Sequence, residues 1–183
     1  FKLEGSSFTG REPNEDRYDL DQPLFDSWSG RLSFNPSGNW ALQVSRGHIK
    51  SPEALHPNEN IDRTTASATY VYNIDIGKYF TGTALWGQNQ IAGTDPSNSA
   101  LAEIMLKLNK MDLYGRYEWV QKTGEELNLS PMMYNINALY PVNVLTIGGG
   151  YDLFKIGHIV FNAGAQASVY NTSSTLSGLY GTY

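Results

Sequence analysis

The sequence predicts an all-β fold: an antiparallel up-and-down transmembrane β-barrel, or the C-terminal part of a larger one. Three observations lead there. Apolar and polar residues alternate with period two in one run after another, as strands separating two different media require. The connections between those runs alternate short and long, the pattern of a barrel with tight turns at one end and loops at the other. No window approaches the ~18 uninterrupted apolar residues of a spanning helix.

The runs justify themselves in order. A strand is expected over the first nine residues. At 28–34, Trp28, Gly30, Leu32 and Phe34 share one face, while Ser29, Arg31 and Ser33 share the other. Over 40–49, Trp40, Leu42 and Val44 oppose Gln43, Ser45 and Gly47. Over 64–73, Ala66, Ala68, Tyr70 and Tyr72 oppose Thr65, Ser67, Thr69 and Asn73. Over 79–88, Phe80, Gly82, Ala84 and Trp86 oppose Thr81, Thr83 and the ill-fitting Leu85. The segment 100–109 also fits a helix through Leu101, Ile104, Met105 and Leu108, in a composition of good helix formers. It is read as a strand because Asn109-Lys110 leads straight into the alternating run 111–120 and so makes a hairpin. Residues 143–152 alternate less cleanly, and 158–170 alternate again from Ile159 and Phe161 to Val169.

Short turns are expected at 35–39, 73–77, 109–110 and 152–157. Long polar connections are expected at 10–26, 50–63, 88–99 and 121–141, with another after Tyr170. Within them, Ser51-Pro-Glu-Ala-Leu55 has an N-cap serine before proline, and Thr123-Gly-Glu-Glu126 fits a capping box.

Composition narrows the function. The 183 residues suit one domain, expected as a single β-barrel domain over 1–183 that is incomplete at both ends. Ser, Thr and Asn make 43 of those residues, a weight of small polar groups that suits polar strand faces. Recurrent aromatic and β-branched residues argue against disorder. A net charge of −5 argues against nucleic acid as a partner, which needs a basic face. With no cysteine, disulfides, Cys-rich zinc sites and thiol chemistry are excluded.

Several phrases carry a resemblance. They are Gly10-Arg-Glu-Pro13, Glu15-Asp-Arg17, Ser27-Trp-Ser-Gly-Arg-Leu-Ser-Phe-Asn-Pro36, Asn39-Trp-Ala-Leu-Gln-Val-Ser45, Ser51-Pro-Glu53 and Arg63-Thr-Thr-Ala-Ser67. Together the chain resembles a group of uncharacterised bacterial outer-membrane β-barrel proteins, most densely between residues 10 and 67. The resemblance implies a fold and a compartment, in a longer protein with strands before and after the part given by this sequence; it implies no substrate.

Enzyme chemistry finds little support. His48, His56 and His158 have no metal-ligand spacing, and there is no Gly-x-Ser-x-Gly elbow. Gly148-Gly-Gly150 opens no helix, so small residues permitting close packing or curvature are the better reading. Glu12, Glu15, Asp16, Asp19 and Asp21 offer oxygens to Ca²⁺, but not at EF-hand spacing, and Arg11 and Arg17 are placed to neutralise them. Neither a cofactor nor a resident metal is expected.

The polar faces carry Arg31, Glu103, Lys107, Asp112, Arg116 and Glu118, the candidate lumen-lining residues. A charge on the lipid face costs several kcal/mol near the midplane, which places these inside a barrel. They read either as a selectivity lining or as a salt-bridge ladder plugging the lumen. If the turn at Asn109-Lys110 is tight, opposed positions sum to 219. That register sets Lys107 opposite Asp112 and Glu103 opposite Arg116.

The expected function is therefore a non-catalytic outer-membrane barrel, either a porin-like channel or a surface-exposed scaffold. Its partners would be outer-membrane lipid and other outer-membrane or surface proteins. Trp28, Leu32, Phe34, Leu113, Tyr117, Ile159 and Phe161 would face lipid, with Trp28, Trp40, Trp86 and Trp119 near the interfaces. The alternative is a soluble antiparallel barrel or sandwich binding a small ligand or carbohydrate. A hydrolase on a barrel wall would need a Ser/His/acid cluster, which the sequence does not supply.

Overall fold

The computed structural model describes residues 1–12, 18, 22–53 and 56–180. Nine strands run in chain order: β1 (Lys2–Phe8), β2 (Ser27–Phe34), β3 (Trp40–Lys50), β4 (Asn60–Asp75), β5 (Lys78–Ile91), β6 (Ser97–Leu108), β7 (Met111–Thr123), β8 (Leu139–Ile156) and β9 (Ile159–Thr172). They form one sheet in the order β1 to β9, each strand beside its sequence neighbours. A 3₁₀ turn (Ser174–Leu176) and a single α-helical turn (Ser177–Tyr180) follow. Residues 100–108 are strand, and the fold is an antiparallel up-and-down sheet with almost no helix. The sheet is open: β1 and β9 are its two edges.

The chain divides into two compact units. The first comprises residues 1–68 and 86–98. Here β1 pairs with β2, and β2 with β3, antiparallel and without a register break. Ser6 and Ser29 share a hydrogen bond on the polar face at 2.7 Å, as do Ser45 and Thr65. Phe1 stacks on Phe34 at 4.3 Å. At the loop end, Asp26 accepts the Gly10 N–H at 3.0 Å, and that bond holds its carboxyl below the usual range. The Ser27 hydroxyl accepts the Lys50 N–H at 2.9 Å.

The second unit comprises residues 69–85 and 99–183. Tight turns close its hairpins at Ile76-Gly77, Asn109-Lys110 and Gly157-His158. Gly77 (φ 72°) and Asn109 (φ 54°) take the left-handed conformation that such turns demand and that Gly and Asn adopt at least cost. The first two turns brace one another, since the Asn109 N–H donates to Gly77 O at 2.9 Å, and the Asp152 N–H of β8 donates to Lys110 O at 2.7 Å. Among the described residues the buried hydrophobics are few: Leu129, Tyr140 and Leu176, with Leu127, Tyr134 and Ala138 packed around them. This small cluster lies where the 124–138 connection meets the start of β8.

Some boundaries differ from expectation. The connection expected over 88–99 is short, residues 92–96, because Gln88-Asn-Gln and Ser97-Asn-Ser continue the strands. The Gln88 side-chain amide donates to Asn98 Oδ1 across the pair at 3.1 Å, so a polar composition that suggests a loop is a laddered strand end. The turn expected at 152–157 is reduced to Gly157-His158. β8 runs to Ile156 through a bulge at Leu153, and beyond the bulge Phe154 stacks on Phe161 at 4.6 Å.

Thr123 and Glu126 do form the reciprocal bonds of a capping box, at 2.8 and 3.1 Å. Partial burial raises the Glu126 carboxyl, but the bonds from Lys122 and the Thr123 N–H outweigh it and hold the carboxyl low. The box caps only turns, because Asn128 (φ 51°) ends the helical winding at once. Ser51 takes φ 46° rather than the extended conformation of an N-cap. Ala54 and Leu55 lie outside the described residues, as do Glu15, Asp16, Asp19 and Asp21 of the calcium reading.

Candidate functional site

The site is the polar face of the second unit, and three registers build it. Pairs sum to 219 between β6 and β7, as the tight turn requires. The β7–β8 and β8–β9 registers then align four strands into cross-sheet rungs.

Nearest the turns, ionic contacts join the rung of Lys107 and Asp112 to the next level, where Asp152 lies opposite Asn162. Lys107 Nζ lies 3.3 Å from Asp112 Oδ1 and 3.7 Å from Asp152 Oδ2. Asp152 Oδ1 in turn accepts the Asn162 side-chain amide at 3.0 Å. All three charged side chains are less than a third exposed.

The next rung holds a tyrosine over a glycine. A Cβ on Gly148 would stand 2.6 Å from Tyr114 Cε1, so only glycine lets the ring lie across β8. From there the Tyr114 hydroxyl donates to Gln166 Oε1 on β9.

The third rung sets Glu103 against Arg116, whose Nε and Nη2 both lie 2.7 Å from Glu103 Oε2. The rung continues through Thr146 and Ser168, whose hydroxyls share a hydrogen bond at 2.8 Å.

The fourth rung is Leu101, Glu118, Val144 and Tyr170. The Glu118 side chain forms no hydrogen bond or ion pair among the described residues, and only the longer-range attraction of Arg116 reaches it. Together the upper rungs line an open groove of about 770 Å³.

Arg31 belongs to the first unit. It lies opposite Glu4 on β1 and Ser45 on β3, and the Glu4 carboxylate is held by Lys2 at 2.8 Å. Among the six sequence candidates, the structure thus joins Glu103 to Arg116 and Lys107 to Asp112, while the Arg31 and Glu118 side chains have no hydrogen bond or ion pair among the described residues.

The opposite face is apolar. Leu113, Tyr117, Ile147, Ile159 and Phe161 are exposed on it, as are Trp28 and Leu32 in the first unit. One charged constellation interrupts it. Arg46 and His48 continue the parity of Leu42 and Val44 toward the loop end of β3, where Asp62 meets both. His48 Nδ1 lies 2.7 Å from Asp62 Oδ1, and Arg46 lies 3.6 Å from Oδ2.

Three contributors escaped the sequence: Asp152, Asn162 and the Tyr114–Gly148–Gln166 rung. Gly148-Gly-Gly150 was the available signal, since a run of glycine in a strand marks close approach by something bulky. Among the described residues no three His, Asp or Glu side chains gather to hold a metal ion. Among the described residues no helix is long and apolar enough to cross a membrane. No family model, curated protein or solved structure matches the chain.

Proposed function

We propose that the nine strands form a wall of a bacterial outer-membrane β-barrel of porin type. The apolar face lies in lipid, the polar rungs line an aqueous lumen, and the function is conduction without catalysis. The resemblance in residues 10–67 supports the compartment. The observation that carries the reading is the scarcity of core. Only Leu129, Tyr140 and Leu176 are buried hydrophobics among the described residues, whereas Ile147 is 62% and Ile159 65% exposed. A soluble domain of this length buries roughly two-thirds of its chain surface. A sheet with one apolar face and almost no core needs an apolar medium, and lipid is the one that also accounts for strands of this length.

Ile147→Arg tests the medium. Ile147 sits mid-strand on β8, between Gly115 and Ala167. In lipid, a cation at that depth costs ~2–4 kcal/mol; at a water-exposed site it falls within ~0.5 kcal/mol. Unfolding in phospholipid vesicles measures the difference, and a neutral substitution refutes the membrane face. Conductance in planar bilayers tests the lumen. Glu103→Gln with Arg116→Gln should alter ion selectivity with folding intact, and a folded, inserted protein without conductance would point to a plugged scaffold.

A further inference from the structure

The geometry points to a binding site for a small organic cation, an ammonium or guanidinium on an apolar body, at Glu118 in the groove of the second unit. It does not depend on whether the wall conducts. Three observations meet there. First, the rung through Glu118 is otherwise apolar, with Leu101 on one side and Val144 followed by Tyr170 on the other. Leu85 and Val120 add further apolar lining there, beside Ser99. Second, the Glu118 carboxylate has no hydrogen bond or ion pair of its own among the described residues, only the longer-range attraction of Arg116. The nearest cation, Arg116, already gives two donors to Glu103 at 2.7 Å. β8 offers Val144 and Thr146 at this level, and β9 offers Ser168 and Tyr170, so neither brings a positive charge. Third, there is room, since the groove of about 770 Å³ reaches the size of a small-molecule site.

The chemistry follows from these neighbours. A carboxylate in partly apolar surroundings, without its own partner, favours a ligand that restores the missing charge and hydrogen bonds. The Tyr170 ring adds a face attractive to cations. Leucine and valine flank the carboxylate and reward hydrocarbon on the ligand. An anion meets Glu118 and Glu103, and a neutral analogue leaves Glu118 unpaired, so the site discriminates by charge.

Benzylammonium is the probe, benzyl alcohol its neutral isostere and benzoate its anionic counterpart. Each is titrated into the full chain in nonionic detergent, following the methyl resonances of Leu101, Val120 and Val144. Benzylammonium should give saturable shifts at these methyls, and benzyl alcohol should bind at least tenfold more weakly. Glu118→Gln should abolish the tenfold preference, which corresponds to about 1.4 kcal/mol. Arg116→Gln removes the competing cation and should tighten benzylammonium several-fold; this second variant keeps the test decisive if Glu118→Gln folds poorly. Equal binding of all three probes, an unchanged preference in Glu118→Gln, or weaker amine binding in Arg116→Gln overturns the proposal. Because the readout needs no conductance, its failure is distinct from failure of the channel reading.

Discussion

Gly148→Ala is the substitution on which the geometry makes its sharpest demand. The added Cβ would stand 2.6 Å from Tyr114 Cε1, 2.7 Å from Cζ and 2.8 Å from the hydroxyl. Carbon pairs sit comfortably at ~3.5–4.0 Å, so the ring must retreat by about 1 Å. Retreat breaks the bond from the Tyr114 hydroxyl to Gln166, worth ~0.5–1.5 kcal/mol. Overpacking adds ~1–3 kcal/mol. Against this, Gly148 is not among the glycines at positive φ, so alanine gains ~0.5–1 kcal/mol from the smaller entropy of the unfolded chain. The net cost is ~0.5–4 kcal/mol with Tyr114 present, centred near ~2 kcal/mol. With Tyr114→Ala the clash is gone and only the entropic gain remains, so Gly148→Ala becomes stabilising by ~0.5–1 kcal/mol. The sign therefore reverses between backgrounds. Urea unfolding of the four proteins in vesicles, followed by tryptophan fluorescence, closes the cycle. Equal destabilisation in both backgrounds would show that Gly148 is required for some reason other than the ring.

Other perturbations follow from the same structure. The Glu103–Arg116 pair is a third to two-fifths exposed, so a double-mutant cycle should give a coupling of only ~0.2–1 kcal/mol, and a value above ~3 kcal/mol would mean the pair is dry. Asp26 is held below its ordinary value by the Gly10 N–H. Its contribution is thus complete at neutral pH and lost as pH falls through the lowered folded value. Gly10 amide exchange, corrected for intrinsic rate, should accelerate in that acid range and not in Asp26→Asn, and identical profiles would exclude Asp26 as the anchor. Leu176 is fully buried against Leu129 and Tyr140. Leu176→Ala should cost ~2 kcal/mol, at the low end for Leu→Ala because so small a cluster collapses readily; a loss under ~0.5 kcal/mol in the vesicle unfolding assay would remove the cluster from the stability of the unit.

Much of this was legible residue by residue. Period-two alternation marks a strand by itself, since successive side chains point to opposite faces whatever the neighbours do. The β6–β7 register was legible too. Asn109 accepts the left-handed conformation of a two-residue turn, the turn sets opposed positions to sum to 219, and Glu103–Arg116 and Lys107–Asp112 follow without further information. Across the 124–138 connection that logic stops. A loop of that length leaves its strands free to pair in many registers, and only the packing of β8 on β7 selects one. That choice sets Gly148 under Tyr114, brings Asp152 to Lys107 and leaves Glu118 between Leu101 and Val144. The sequence alone thus determined which residues share a face, because alternation is a local property of the backbone. Which of them meet was decided by the tertiary structure, because contact across a long loop depends on a register that no local rule encodes.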